Sequence, residues 1–143
     1  LAMVDLDFFK KINDSYGHPV GDQVIRSISQ ILRQRLRQGD LVGRYGGEEF
    51  AVILPATSAA AAAGVLNEIR EAFGKMRHRA DDTEFFASFS AGVAELDDVT
   101  ESADVGEMFR LADMALYQAK QAGRNRVELV QRHADEHASA SIR

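Results

Sequence analysis

The segment that most restricts this chain is a pair of short apolar runs, residues 41–45 and 50–54, separated by Gly46, Gly47, Glu48 and Glu49. Strand-length runs split by a glycine-rich tetrapeptide predict a β-hairpin whose glycines are free to take positive φ and whose tip carries two acids. Helical patterns flank this hairpin on both sides, which turns the chain away from a doubly wound topology.

The remaining elements follow from periodicity. Residues 1–6 (LAMVDL) read as a buried strand ending at Asp7, which is placed to cap the short helical segment FFKKIND. A turn-rich loop over residues 15–21 leads to Asp22. Val24, Ile25, Ile28, Ile31, Leu32 and Leu36 then recur at helical spacing for about four turns. Residues 59–73 predict another helix, favoured by its alanine run, and residues 85–93 read as a strand pair or one long strand. Met108, Leu111, Ala112, Ala115, Leu116 and Ala119 trace a further helix closed by Gly123, and residues 126–130 form a last strand.

The order β-α-β-β-α-β-α-β, with no Gly-rich dinucleotide loop after the first strand, predicts an α+β fold with a ferredoxin-like sheet and flanking helices. Length allows one domain, residues 1–130, followed by a polar and mobile tail over residues 131–143.

Composition narrows the chemistry. The 143 residues include no cysteine, which removes disulfide scaffolds, iron–sulfur clusters, thiolate zinc sites and cysteine nucleophiles and suits a reducing cytosol. A net charge of −5 argues against a surface that coats a nucleic-acid polymer or anionic lipid, so an anionic ligand must meet a local basic cluster. The uncharged run over residues 50–67 is broken by Pro55, Thr57, Ser58 and Gly64 and reads as a strand and a helix start, with no membrane contact. The chain begins at Leu1 without an initiator Met or a basic leader, and is expected to be a piece of a longer polypeptide.

Asp5, at the end of the first strand, and Glu48 and Glu49, at the hairpin tip, gather carboxylates at one sheet edge if their strands are neighbours. Like charges about 4 Å apart repel by roughly 4 kcal/mol at an effective dielectric near 20, so a cation is expected there. Carboxylate oxygens without thiolates suit Mg²⁺ or Mn²⁺, with positions left for water and phosphate oxygens, and suit zinc poorly. Alternation lets Asp5 and Asp7 share a face and turns Glu48 and Glu49 apart, so one glutamate is the inner ligand. Taken singly, each of these acids reads as the usual solvated side chain; together they are less easily dismissed.

An EF-hand reading of D-L-D fails for want of the later ligands and central glycine, and no G-x-x-x-x-G-K-[ST] cradle is present. The backbone N–H groups after Asp7, with Lys10 one turn further, offer an alternative phosphate site. Lys120 and Arg124 add charge if the end of the last helix folds back over the first strand; otherwise they are solvated helix-end residues.

At this point the motifs carry a resemblance. D-x-D-x-F-K-x-x-N-D at 5–14, G-H-x-x-G-D at 17–22, R-Y-G-G-E-E-F at 44–50 and Y-x-A-K-x-x-G-R-N at 117–125 together resemble the GGDEF-domain diguanylate cyclases over about residues 1–130. The resemblance implies a sheet like that of nucleotidyl cyclases and polymerase palms, and condensation of two GTP molecules into cyclic di-GMP with release of two pyrophosphates. It makes Asp5, the Leu6 carbonyl and Glu48 ligands of Mg²⁺ or Mn²⁺, with Glu48 also the acceptor of the 3′-hydroxyl proton. Lys10 then stabilises phosphate charge with Lys120 and Arg124, and Asn13, His18 and Asp22 match positions of substrate recognition. Chemistry supports the last assignment separately, because a carboxylate accepts from guanine N1–H and N2–H whereas adenine N1 is itself an acceptor. His18 reads equally as a loop histidine bonding backbone beside Pro19.

One GTP per domain implies a homodimer with facing sites, and the family's architecture implies an upstream sensor or dimerisation module and a cytoplasmic output domain. Family domains also usually begin earlier, with a helix and a D-x-L-T-x-L-x-N-R segment. R-Q-G-D at Arg37 to Asp40 matches the family's product-binding inhibitory motif. The tetrapeptide pattern recurs at Arg79, Arg110 and Arg132, and position singles out Arg37. Partner arginines on the following helix are not evident, since Gly64 and Glu68 stand there, with Arg70 near. A non-catalytic receptor for GTP or cyclic di-GMP is the alternative function, and the retained Glu48–Glu49 pair favours the enzyme.

Overall fold

The computed structural model describes residues 1–95 and 105–130. The chain runs β1 (Ala2–Leu6), α1 (Phe9–Tyr16), α2 (His18–Arg35), β2 (Leu41–Arg44), β3 (Glu49–Ile53), α3 (Ala59–Gly74), β4 (His78–Ala80), β5 (Thr83–Phe85), β6 (Phe89–Ala94), α4 (Val105–Gln121) and β7 (Val127–Val130). The main sheet has the order β2-β3-β1-β6-β7, and β4 and β5 form a separate hairpin. Strands β2, β3, β1 and β6 are antiparallel neighbours, while β7 joins β6 in parallel across the α4 crossover. This is the expected ferredoxin-like sheet with one strand added.

Period-two alternation in β1 sorts side chains onto opposite faces. Val4 and Leu6 enter the larger core with Ile28 and Leu32 of α2, Leu66 and Phe73 of α3, and Phe89 of β6. Met3 faces the other way, against Ala112 and Leu116 of α4. Asp5 follows Met3 onto that second face, so the sheet presents its apolar side to α2 and α3 and its acidic strand end to α4. The small residue Gly92 lets α4 approach, because a Cβ there would run into the backbone at Ala112 and Leu116.

Several local expectations are corrected. The loop predicted over residues 15–21 is almost wholly helical: α1 continues to Tyr16, Gly17 alone intervenes, and His18 starts α2 with Pro19 in its first turn, where a missing N–H costs nothing. Asp7 does not cap α1. The N-cap is Phe8, in the left-handed region at φ 55°, without a side-chain cap bond. Among the described residues, glycines with positive φ are Gly17 and Gly123 only, so Gly46 and Gly47 do not use that freedom. Residues 85–93 split between β5 and β6, and β4 lies in a segment whose sequence shows no strand pattern. Gly123 closes α4 as expected: at φ 121° it lets Arg124 N–H reach the Ala119 carbonyl at 3.0 Å. The tail over residues 131–143 lies outside the described residues. Among the described residues no helix is long and apolar enough to cross a membrane.

Candidate active site

The antiparallel register places Asp5 directly opposite Glu49, and the Leu6 N–H donates to the Glu48 carbonyl at 3.1 Å. The hairpin tip is thereby fixed across the end of β1. Its shape comes from Arg44, whose guanidinium donates to the carbonyls of Gly46 (3.2 Å) and Gly47 (3.1 and 2.6 Å). The base of the hairpin is tied to α4 by Tyr45 stacked on Phe109, with ring centroids 5.6 Å apart.

Asp5 is 4% exposed. Burial pushes its carboxyl up from the ordinary range, and proximity to Glu48 and Asp7 pushes the same way, while the Lys120 ammonium, 2.5 Å from Oδ2, opposes both. Glu49 is likewise pushed up, by burial first and then by the Asp5 charge. Both glutamates therefore lie within electrostatic reach of Asp5, and it is Glu49 that stands in register with it.

Among the described residues, no three His, Cys, Asp or Glu side chains form a closed metal centre. The donor set nonetheless fits a hard divalent ion: the buried Asp5 carboxylate, the acidic hairpin tip across from it and a backbone carbonyl make an open, oxygen-only half-shell, which Mg²⁺ habitually completes with water and substrate phosphate.

The positive charge expected from the far end of the chain is delivered by the turn after α4. Lys120 reaches Asp5, and the Arg124 guanidinium lies 4.9 Å from the ring centroid of Phe8, over the β1–α1 turn. Lys10, in the first turn of α1, is exposed. Asn13 on α1 abuts α2, where Gly21 makes room for its Oδ1, an acceptor buried without a partner. His18 and Asp22 stand four residues apart on α2, on one helix face, and both are exposed. Between α2 and the hairpin, a groove of about 550 Å³ is lined by Arg26, Arg33, Arg44 and Phe50 with no carboxylate in its wall.

Arg37 and Asp40 lie away from these groups, beyond the end of α2. Asp40 Oδ2 accepts from Arg37 N–H at 2.9 Å, and the Arg37 guanidinium donates to Thr57 Oγ1 at 2.9 Å. Arg70 is no companion to Arg37. It sits near the other end of α3 and donates to Asn125 Oδ1 at 2.9 Å.

Asp7, Ser88, Ser90 and Asn125 form a polar cluster that the periodicity arguments missed. The alternation S-F-S at 88–90, leading into β6, against D-L-D at 5–7, leading out of β1, was its available signal, but only strand order pairs them.

The family model for "Diguanylate cyclase, GGDEF domain" matches residues 1–126. The chain is 44% identical over 130 residues to diguanylate cyclase DgcP of Pseudomonas aeruginosa, covering 90% of this chain and 19% of that protein. It superposes on the active GGEEF domain of a diguanylate cyclase from Vibrio cholerae with a TM-score of 0.84 at 31% identity, covering 92% of this chain and 81% of the other. The GGDEF domain of DgcB from Caulobacter crescentus, in complex with c-di-GMP, gives a TM-score of 0.82 at 36% identity, with 90% and 75% covered. An acidic hairpin crossing the end of β1 beneath a lysine-bearing helix, matched over nearly its whole length by this family, leaves one classification: the chain belongs to the GGDEF domain family of diguanylate cyclases. It spans about a fifth of the length of DgcP.

Proposed function

We propose that this domain is the catalytic unit of a diguanylate cyclase that condenses two GTP into cyclic di-GMP and two pyrophosphates. The observation that carries the reading is the convergence of Asp5, the Glu48–Glu49 tip and Lys120 at one strand end. Asp5, the Leu6 carbonyl and Glu48 would hold Mg²⁺ or Mn²⁺, which when bound supplies polarisation of the α-phosphoryl group and neutralises the departing pyrophosphate.

The chain's own groups do the rest. Asn13 and Asp22 orient guanine, a role supported by the exposed carboxylate of Asp22, which can accept from guanine N1–H and N2–H beside the Asn13–Gly21 contact of α1 and α2. His18 lies on the same exposed face of α2 as Asp22, four residues before it. Glu48 accepts the proton of the attacking 3′-hydroxyl. The bond from that 3′-oxygen to the α-phosphorus forms as the bond to pyrophosphate breaks, and Lys10, Lys120 and Arg124 stabilise the phosphate charge. A second such transfer closes the ring.

Each domain holds one GTP, so two copies must face each other, and a homodimer is the catalytic assembly. Cyclic di-GMP binding at Arg37 and Asp40 lowers activity. GTP as substrate places the domain in the cytoplasm, under control of a sensor or dimerisation module in the longer protein.

The test is incubation of the full-length protein with GTP and Mg²⁺, with products separated by chromatography. Cyclic di-GMP is expected, and Glu48→Gln abolishes it while circular dichroism stays unchanged. GTP binding without turnover in the dimer would replace the enzyme by a nucleotide receptor.

A further inference from the structure

Asp7 is 2% exposed, carries a carboxylate, and no Lys or Arg ion pair to it occurs among the described residues. Such a group is stable only if its oxygens are met by hydrogen-bond donors. They are: Oδ1 accepts from Ser90 Oγ at 2.6 Å, and Oδ2 accepts from Ser88 Oγ at 2.7 Å and from the backbone N–H of Asn125 at 3.0 Å. The two serines belong to the neighbouring strand edge. Asn125 belongs to the α4–β7 turn, 118 residues away in sequence.

That turn is held in a conformation that Arg124 does not favour, although an asparagine such as Asn125 tolerates it. Arg124 and Asn125 both lie in the left-handed region, at φ 63° and 47°, without being glycines. Such backbone persists only where its surroundings over-determine it. Asp7 grips the turn from the β1 side, and Arg70 grips it from α3 through Asn125 Oδ1 at 2.9 Å and the Asn125 carbonyl at 3.3 Å. The result is the placement of the Arg124 guanidinium over Phe8, the residue that follows Asp7 and is itself left-handed at φ 55°. One carboxylate thus anchors the turn that carries Arg124 and adjoins the ring on which Arg124 rests.

We propose that Asp7 is a positioning residue: its hydrogen bond to the Asn125 backbone holds Arg124 over the β1–α1 turn, where it meets the triphosphate of the nucleotide. This rests on the cyclase reading above. Asp7 touches neither base nor phosphate, and with each oxygen committed to these donors it is not counted as a third acidic ligand, although it shares a face with Asp5. An anion suits the position because it accepts from three donors and presents none of its own.

The test is a binding cycle on the full-length protein, using a non-hydrolysable GTP analogue and GMP in parallel. Asp7→Ala is expected to weaken the triphosphate about ten-fold, the scale of a lost charge-assisted contact, and to leave GMP within about two-fold. Arg124→Ala is expected to weaken the triphosphate similarly, and the double variant to be scarcely worse than either single one. Asp7→Asn is expected to recover most of the loss, because its amide oxygen keeps the Asn125 N–H while its NH₂ donates to Ser90 Oγ.

Multiplicative losses in the double variant, an equal loss for GMP, or failure of Asp7→Asn to recover binding would overturn the inference while the functional reading stands. If Asp7→Ala does not fold, Asp7→Glu, whose longer arm moves the carboxylate off Asn125, takes its place in the same cycle with the same criteria. A wild-type protein that binds no GTP analogue would overturn the cyclase reading and this inference with it.

Discussion

The Lys120 ammonium lies 2.5 Å from Oδ2 of Asp5, joining the last turn of α4 to β1 across 115 residues of sequence. Asp5 is one of the groups expected to meet a cation, and in the free domain that cation is a lysine from the same chain. The lysine is 29% exposed at its side chain against 6% for the aspartate, so the carboxylate is the member of the pair that depends on its partner.

Lys120→Met should therefore destabilise the free domain by about 1–3 kcal/mol at neutral pH, the range for a buried carboxylate stripped of a charged donor. Burial already raises the Asp5 proton affinity and Lys120 lowers it, so the variant binds that proton more tightly than wild type. The destabilisation should fade as pH falls and Asp5 becomes neutral. Urea unfolding of both proteins between neutral and acid pH measures this, and a deficit independent of pH would contradict it.

His78 supplies a separate pH dependence. It is buried between Phe73 and Phe85, with ring centroids 5.6 and 5.4 Å away, and its Nε2 is unpartnered. Burial lowers its pKa below the ordinary 6.5, so the unfolded chain takes up the proton first as pH falls. Its contribution to stability is whole above pH 6.5 and is lost on acidification toward the lowered folded value. In His78→Phe, thermal melts should show a flatter profile across that interval.

Gly92→Ala tests the seat of α4. The added methyl meets helix backbone rather than a movable side chain, so a cost of about 1–3 kcal/mol or more is expected. Lys120 rides on the displaced helix and Arg124 on the turn that follows it, so GTP turnover should fall further than the loss of folded protein explains. Calorimetry paired with initial rates separates the two.

Arg37→Ala should cost no more than about 1 kcal/mol: the Arg37 side chain is 69% exposed and sits 3.6 Å from Asp40 Oδ2, and although the Asp40 side chain is only 3% exposed, it keeps its bond from the Arg37 backbone N–H. In the proposed cyclase the same variant should escape inhibition by added cyclic di-GMP while its initial rate without product is retained. Inhibition at the wild-type concentration would remove the assignment.

Magnesium binding should depend on Asp5. Titration of Mg²⁺ in the presence of a non-hydrolysable GTP analogue should raise the melting temperature of wild type, and Asp5→Asn should abolish most of that rise. An equal rise in both proteins would place the ion elsewhere.

Much of this was legible along the chain because it depends on local periodicity or neighbouring residues. The hairpin at Gly46 to Glu49, the apolar stripe of α2, the Gly123 stop and the ferredoxin-like order all rest on spacing within a few residues. The junction at Gly17 was not. Pro19 and Gly17 look like a loop in isolation, yet proline is tolerated in a first helical turn, so two helices meet with one residue between them. Strand β4 was equally hidden, since His78 gains its place from Phe73 and Phe85, and Ala80 from pairing with Thr83, rather than from any pattern of their own.

Sequence alone, then, determined which elements exist, which faces are apolar and which acids and bases were candidates for chemistry, since these follow from side-chain types at fixed periods. Tertiary structure alone decided who meets whom: that Glu49 is the residue opposite Asp5, that Lys120 neutralises it, and that Asp7 turns from helix cap to anchor of a distant turn. Those pairings are set by strand order and by the docking of α4 on β6. They join residues 44 to 118 positions apart, at distances where charge and hydrogen bonding act through space and no local pattern records them.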